Sequence, residues 1–213
     1  MSDDAPELPG LPPRAFAKID SEPDDRFYEM PRFVTHIDEA AIVAVTGLYR
    51  ELFPPGAMVL DLMGSWVSHL PPEVPYGHVI GHGMNAEELA SNPRYDRWFV
   101  HDLNAEPHLP LDPASVDAIG LCVSIQYLQR PVAVMRDVLR VLKPQGLIAI
   151  TFSNRCFPTK AVAIWQSIAM GDHPGLVSLY LQQASFCSVE ARTLIPLGGP
   201  HDPLWAVIGR KTA

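Results

Sequence analysis

The sequence is poor in several features that would tie it to particular environments. Cysteine is scarce. Cys122, Cys156 and Cys187 lie far apart, form no CxxC pair and match no metal-ligand spacing. An odd count of this kind fits a reducing compartment, so the expected location is the cytoplasm. Long apolar runs are missing: the longest, such as Leu147 to Phe152, fall far short of a bilayer span. The N-terminus has neither a basic n-region nor an apolar h-region, and no membrane partner is expected. Basic residues are outnumbered, with 16 Lys and Arg against 24 Asp and Glu for a formal net charge of −8. Phosphate backbones are bound by clustered Lys and Arg, and no basic, aromatic-interleaved stretch is suited to stacking bases. No nucleic-acid partner is therefore expected. The 8 histidines form no ligand cluster. His78 and His82 are four apart, but on a strand and its loop rather than a helix, so no metal is expected.

What is present suits one folded domain. The chain has 213 residues, 47% hydrophobic and 19% charged, enough for a single core. Residues 1–25 hold Pro6, Pro9, Pro12, Pro13 and Pro23 among Asp3, Asp4, Asp24 and Asp25, which reads as a mobile acidic tail. Residues 26–213 read as one domain: an N-terminal helical cover over 26–53 and an α/β core over 57–213. In the cover, Ile37, Ala41, Val45, Leu48 and Leu52 make one helical stripe, with Thr35 as the expected cap and Asp38 near its N3 position. Pro54, Pro55 and Gly56 end it.

Strand and helix then alternate. Met58 to Met63, His78 to Ile80, Trp98 to Val100, Asp117 to Val123 and Leu147 to Phe152 read as strands. Asn85 caps a helix with Glu88 three residues on, and Pro131 opens another as an N1 residue. Lys143-Pro144-Gln145-Gly146 matches a type I turn. Helices are expected over 160–170 and 174–184, and two last strands over 188–194 and 204–209. This alternation predicts an α/β fold with a parallel sheet covered on both faces. Ligands then bind at the carboxyl ends of the strands. The loops to inspect are Asp61 to Trp66, Gly81 to Asn85, Asp102 to Asn104, Ser124 to Tyr127 and Ser153 to Cys156.

On these residues the sequence resembles the class I S-adenosylmethionine-dependent methyltransferases with a methyltransferase 11-like domain. Val138-Leu139-Arg140-Val141-Leu142-Lys143-Pro144-Gln145-Gly146 is close to the family's RVLKPGG segment. Leu109-Pro110 through Ser115-Val116-Asp117 resembles its approach to strand four, and Val59-Leu60-Asp61-Leu62 the start of its first motif. The resemblance spans roughly residues 57–210 and implies a Rossmann-like class I methyltransferase fold, an α/β domain with a mostly parallel seven-stranded sheet and helices on both faces, with S-adenosylmethionine as cofactor. It implies cofactor contacts from Asp61, Met63, Gly64, Ser65, Gly83, Met84, Asn85, Asp102, Leu103 and Ser124, with Asp102-Leu103 reading adenine.

The sequence also departs from the family. The glycine-rich GxGxG loop is reduced to Met63, Gly64, Ser65, Trp66 and Val67, and Pro71 and Pro72 cut short the helix expected after strand one. The ribose acid at the end of strand two is replaced by Gly83, with Asn85 or Glu87 as substitutes. Tyr28, His36, Tyr127 and Arg155 are the candidates to face an acceptor. No Asn-Pro-Pro-Tyr motif is present and no substrate domain is inserted, so a small-molecule acceptor is expected, with a lid drawn only from residues 20–35. The competing expectation is a non-catalytic binding or assembly module, because the altered first loop and the missing ribose acid both weaken the cofactor site. A nicotinamide-type oxidoreductase lacks its dinucleotide fingerprint here.

Overall fold

A computed structural model describes residue 8 and residues 10–212. Seven strands form one sheet in the order β3-β2-β1-β4-β5-β7-β6. They are β1 (Met58–Leu62), β2 (His78–Gly83), β3 (Arg97–Val100), β4 (Val116–Cys122), β5 (Leu142–Ser153), β6 (Ser188–Ile195) and β7 (Leu204–Arg210). Neighbours from β3 to β5 pair in parallel, while β7 runs antiparallel to both β5 and β6. Chain order reverses between β1 and β4, where such sheets open a crevice.

Period-two alternation sorts the strand side chains onto two faces. Leu60, Leu62, Ile119, Leu121, Ile148, Ile150 and Phe152 join one apolar cluster. The helices α4 (Pro131–Val141) and α6 (His173–Gln183) and the short α5 (Ala163–Ser167) cover that face. On the other face the strands present Val59, Ala118, Ala149 and Ala206 to α2 (Glu39–Leu52). Small residues there let α2 lie close, and its Tyr49 stacks on Phe53 at 4.7 Å. The helix expected as part of a cover is therefore a core helix. Its cap also differs: Asp38, not Thr35, accepts from the Ala41 amide at 2.9 Å.

One further expectation changes. The turn over residues 143–146 is an irregular part of β5, whose pairing jumps from Val116↔Leu142 to Ala118↔Leu147. Gln145 takes a left-handed φ of 64° there, at the position of the first glycine of the RVLKPGG pattern. No helix forms between β1 and β2, as Pro71 and Pro72 dictate.

Residues 10–25 are not a free tail. Leu8 and Ala15 are buried, Leu11 and Phe16 pack on the core, and Phe16 meets Tyr180 at 6.0 Å. The first helical amides of α5 have no side-chain cap. A strap formed by residues 10–38 supplies carbonyls instead: Ala163 N donates to Ala17 at 2.8 Å and Ile164 N to Ala15 at 2.7 Å, satisfying donors that a helix start leaves open. Residues 1–7 and 9, also expected to be mobile, lie outside the described residues.

Candidate active site

A cavity of about 360 Å³ opens at the carboxyl ends of the central strands. The first loop forms its floor. Asp61, near the end of β1, is 6% exposed and accepts from the Tyr95 hydroxyl at 2.9 Å. Burial pushes its carboxyl up to about 6. Next to it, the buried Tyr49 hydroxyl lacks a hydrogen-bond partner, although Tyr49 lines the cavity.

The loop turns on Met63, which takes a left-handed φ of 56°. Gly64 does not have a positive φ; its lack of a side chain serves close approach instead. A Cβ on Gly64 would strike the Tyr95 hydroxyl and lie 3.3 Å from the Asp61 carboxyl carbon. Gly83 opposite is equally constrained, because its Cβ would collide with the Gly64 carbonyl oxygen. The two glycines let β2 and the first loop meet backbone to backbone, closed by Gly64 N donating to His82 O at 2.7 Å.

His82 holds this turn in place. Its Nδ1 faces the Met63 amide at 3.0 Å and must accept, so Nε2 carries the proton and donates to the His101 carbonyl at 2.9 Å. Burial pushes its pKa down to about 4, keeping it neutral. One ring thus links the first loop to the segment after β3.

On the second wall Asn85 has all its polar capacity engaged. Its oxygen accepts from the Glu87 and Glu88 amides, and its nitrogen donates to the Tyr28 and Glu29 carbonyls. It is a cap that also clips the strap down, and Glu87 is exposed. Glu88, which pattern reasoning used only as a capping partner, is buried and lines the cavity. Its carboxylate accepts from the Ser65 hydroxyl and, at 2.6 Å, from the Arg32 amide. Asp102 accepts from the Asn104 amide through Oδ1 at 2.8 Å. Gly83, Met84, Leu103 and Ser124 lie on the same walls, and Ser124 Oγ donates to the Met63 carbonyl at 3.2 Å. All ten residues expected to touch a cofactor border this one cavity.

The strap, residues 10–38, roofs it. Lys160, completely buried, donates to the Glu22 carbonyl at 2.8 Å and faces Asp20 and Asp24, each at 3.2 Å. Burial raises the Asp24 carboxyl, but Lys18, Asn104 and Lys160 outweigh it and hold the group below its ordinary range. Tyr28, His36, Tyr127 and Arg155 all line the roofed end. Burial raises both phenols, Tyr127 to about 12, and Tyr127 accepts from the Phe157 amide at 2.9 Å. Neither suits a base. His36 is exposed at the rim with its edge on Phe157 at 5.3 Å, and partial burial lowers its pKa. Arg155 donates through Nε to Asp202 at 2.8 Å. The sequence offered no sign of Lys160 or Phe157, since neither belongs to a periodic stripe or a motif. Among the described residues no group of three or more His, Cys, Asp or Glu is placed for a metal, and no helix is long and apolar enough to cross a membrane.

A family model described as a methyltransferase domain matches residues 64–150. No curated protein matches the chain. Among solved structures, a chain of the complex between the Haloferax volcanii Trm112 methyltransferase activator and its methyltransferase is 15% identical, with a TM-score of 0.62 over 89% of this chain and 93% of that one. The [4+2]-cyclase SpnF is 16% identical, with a TM-score of 0.62 over 89% and 92%. A SAM-dependent methyltransferase from Archaeoglobus fulgidus is 12% identical, with a TM-score of 0.62 over 81% and 95%. At these identities the likeness is one of fold.

Proposed function

Because the chain carries a methyltransferase domain on the class I methyltransferase fold, we propose that it is an S-adenosylmethionine-dependent methyltransferase acting on a small-molecule acceptor in the cytoplasm. The observation that carries this reading is the cavity itself: a roofed pocket at the strand ends whose walls hold polar groups that the protein leaves without a partner. The Tyr49 hydroxyl and Arg32 Nη1 are two of them. Such groups are costly when shut from water and point to a bound partner. The backbone cradle at Gly64 and Gly83 fits a ligand that lies close to the first loop.

In this reading Asp102 takes the adenine amine and Leu103 covers the ring. The acid missing at Gly83 is replaced by Glu88, which reaches the cavity from one turn into the next helix. Asp61 and Tyr49 meet the amino-acid end. The cofactor, when bound, supplies an electrophilic methyl group on a sulfonium. The chain's own contribution is chiefly positioning and exclusion of water by the strap. His36, neutral at pH 7, is the group able to take a proton from an acceptor O–H or N–H; Tyr28 and Tyr127 hold theirs too tightly.

The test is calorimetry with S-adenosylhomocysteine. Wild type should bind, and Asp102→Ala should bind at least tenfold more weakly, since a hydrogen bond to a charged group is worth about 1.5–3 kcal/mol. Equal affinities would remove the adenine assignment. A second reading, a non-catalytic module, is favoured by the absence of a helix after β1 and by Gly83. Failure of wild type to bind at millimolar ligand would favour it.

A further inference from the structure

The roofed end of the cavity is built around a guanidinium. Arg32 comes from the strap and lines the cavity. Its Cζ lies 4.4 Å from the Phe27 ring centroid, 5.5 Å from that of Phe157 and 5.8 Å from that of Tyr28. Nη2 donates to the Phe27 carbonyl at 2.8 Å. Nη1 is shut off from solvent and has no partner. Aromatic faces hold the plane of such a group and leave its N–H edge for a ligand. A buried cationic donor without an acceptor is costly, and a fixed guanidinium edge matches the two oxygens of a carboxylate. A second guanidinium, Arg155, lines the same end; its Nε is taken by Asp202, and its side chain is 61% exposed.

Resting on the methyltransferase reading above, we infer that the acceptor is a small aromatic carboxylic acid. Its carboxylate is received by the Arg32 guanidinium and its ring by Phe157 and Tyr127. Those two rings stack at 5.9 Å and 28° and present flat apolar surface beside the guanidinium. The cavity of about 360 Å³ is at the small end of ligand pockets, which run from about 300 to 1,000 Å³. Asp24 does not oppose the anion, since Lys18, Lys160 and Asn104 already engage it.

The test uses ligand-observed NMR on the full chain, with and without saturating S-adenosylhomocysteine. The probes are benzoate, benzamide and phenyl phosphate. Benzoate should bind at least tenfold more tightly than benzamide and more tightly than phenyl phosphate. Arg32→Met should erase that preference while S-adenosylhomocysteine affinity stays within twofold. Arg32→Lys, which keeps the charge and loses the planar fork, should restore little of it. Equal binding of benzoate and benzamide, binding of none of the probes, or a preference for the phosphate would overturn the inference. So would a loss of S-adenosylhomocysteine binding in Arg32→Met with benzoate unaffected, because the guanidinium would then belong to the cofactor. Failure of wild type to bind S-adenosylhomocysteine sinks the methyltransferase reading and the acceptor role with it, while the aromatic-carboxylate site itself is judged separately by the benzoate preference read in its absence.

Discussion

Replacing Asp61 with Asn should stabilise the ligand-free protein and do so only above a definite pH. Asp61 is 6% exposed, and its carboxyl is raised from an ordinary 3.8 to about 6. The native state therefore holds a proton that the unfolded chain has lost between those two values. The stability tied to that proton is present below pH 3.8 and is lost as pH rises through 6. Across that gap the loss is about 3 kcal/mol, at about 1.4 kcal/mol per pH unit. Asparagine removes the titration. Its amide can be satisfied in place, because the hydroxyls of Tyr95 and Ser68 that face Asp61 can accept as well as donate. Asp61→Asn should then gain up to about 3 kcal/mol at pH 7.5, or roughly 6–12 °C in Tm for a chain of this size. At pH 4 the gain should shrink towards zero. Calorimetric melts of both proteins from pH 4 to 8 check this. A Tm difference that is flat with pH would refute the claim that the carboxylate is held charged at a cost. Residues kept at such a cost belong to sites rather than to cores, so binding of S-adenosylhomocysteine should weaken in the same variant.

Three more outcomes are expected. Lys160→Met should lower Tm and speed amide exchange over residues 15–34, because the strap loses a completely buried cation while Lys18 and Asn104 still hold Asp24. The expected loss is about 2–3 kcal/mol, less than the 3–5 typical of a fully broken buried pair, and unchanged exchange would show that the strap is held elsewhere. Gly83→Asp, which restores an acid at the end of β2, should lower Tm rather than tighten cofactor binding, because its Cβ meets the Gly64 carbonyl; a variant with unchanged Tm and tighter binding would count against that contact. Gln145→Gly should raise the midpoint of urea unfolding by up to about 1 kcal/mol of stability, since the residue sits at φ 64°, where a side chain costs roughly 1–2 kcal/mol and glycine returns part of that as chain entropy.

The sheet was legible because its signals are local. The run Val59 to Leu62 and the segment from Val138 to Gly146 announce a strand and a helix–strand junction by composition alone. The five loops to inspect follow from one rule, that ligands meet the strand ends, and the cofactor residues within them from the family resemblance. What escaped the sequence depends on long-range partners. Nothing local distinguishes Lys160 from a surface lysine until Asp20 and Asp24 arrive from the other end of the chain. The proline-rich start reads as solvated because its few apolar residues have no period, yet its carbonyls are what α5 needs at an uncapped start. Glu88 reads as a capping partner, and only the approach of Ser65 and Arg32 turns it into a cavity wall. Met63 reads as a defect in a glycine loop; the lone pair of His82 makes the turn workable without the glycine.

The strap also sets an order of events during synthesis. It leaves the ribosome ahead of the sheet, but Glu22 waits for Lys160, 138 residues further on. At elongation rates of about 5–20 residues per second, roughly 7–28 s pass before that partner exists. β4 is complete only at Cys122, so between there and Lys160 all of β1 to β4 can fold with the roof clipped by Asn85 and Glu88 but not yet tied by Lys160. The nascent chain therefore fastens its roof at one end first and at the other last, and a ligand present in the cell can enter before the second fastening is made.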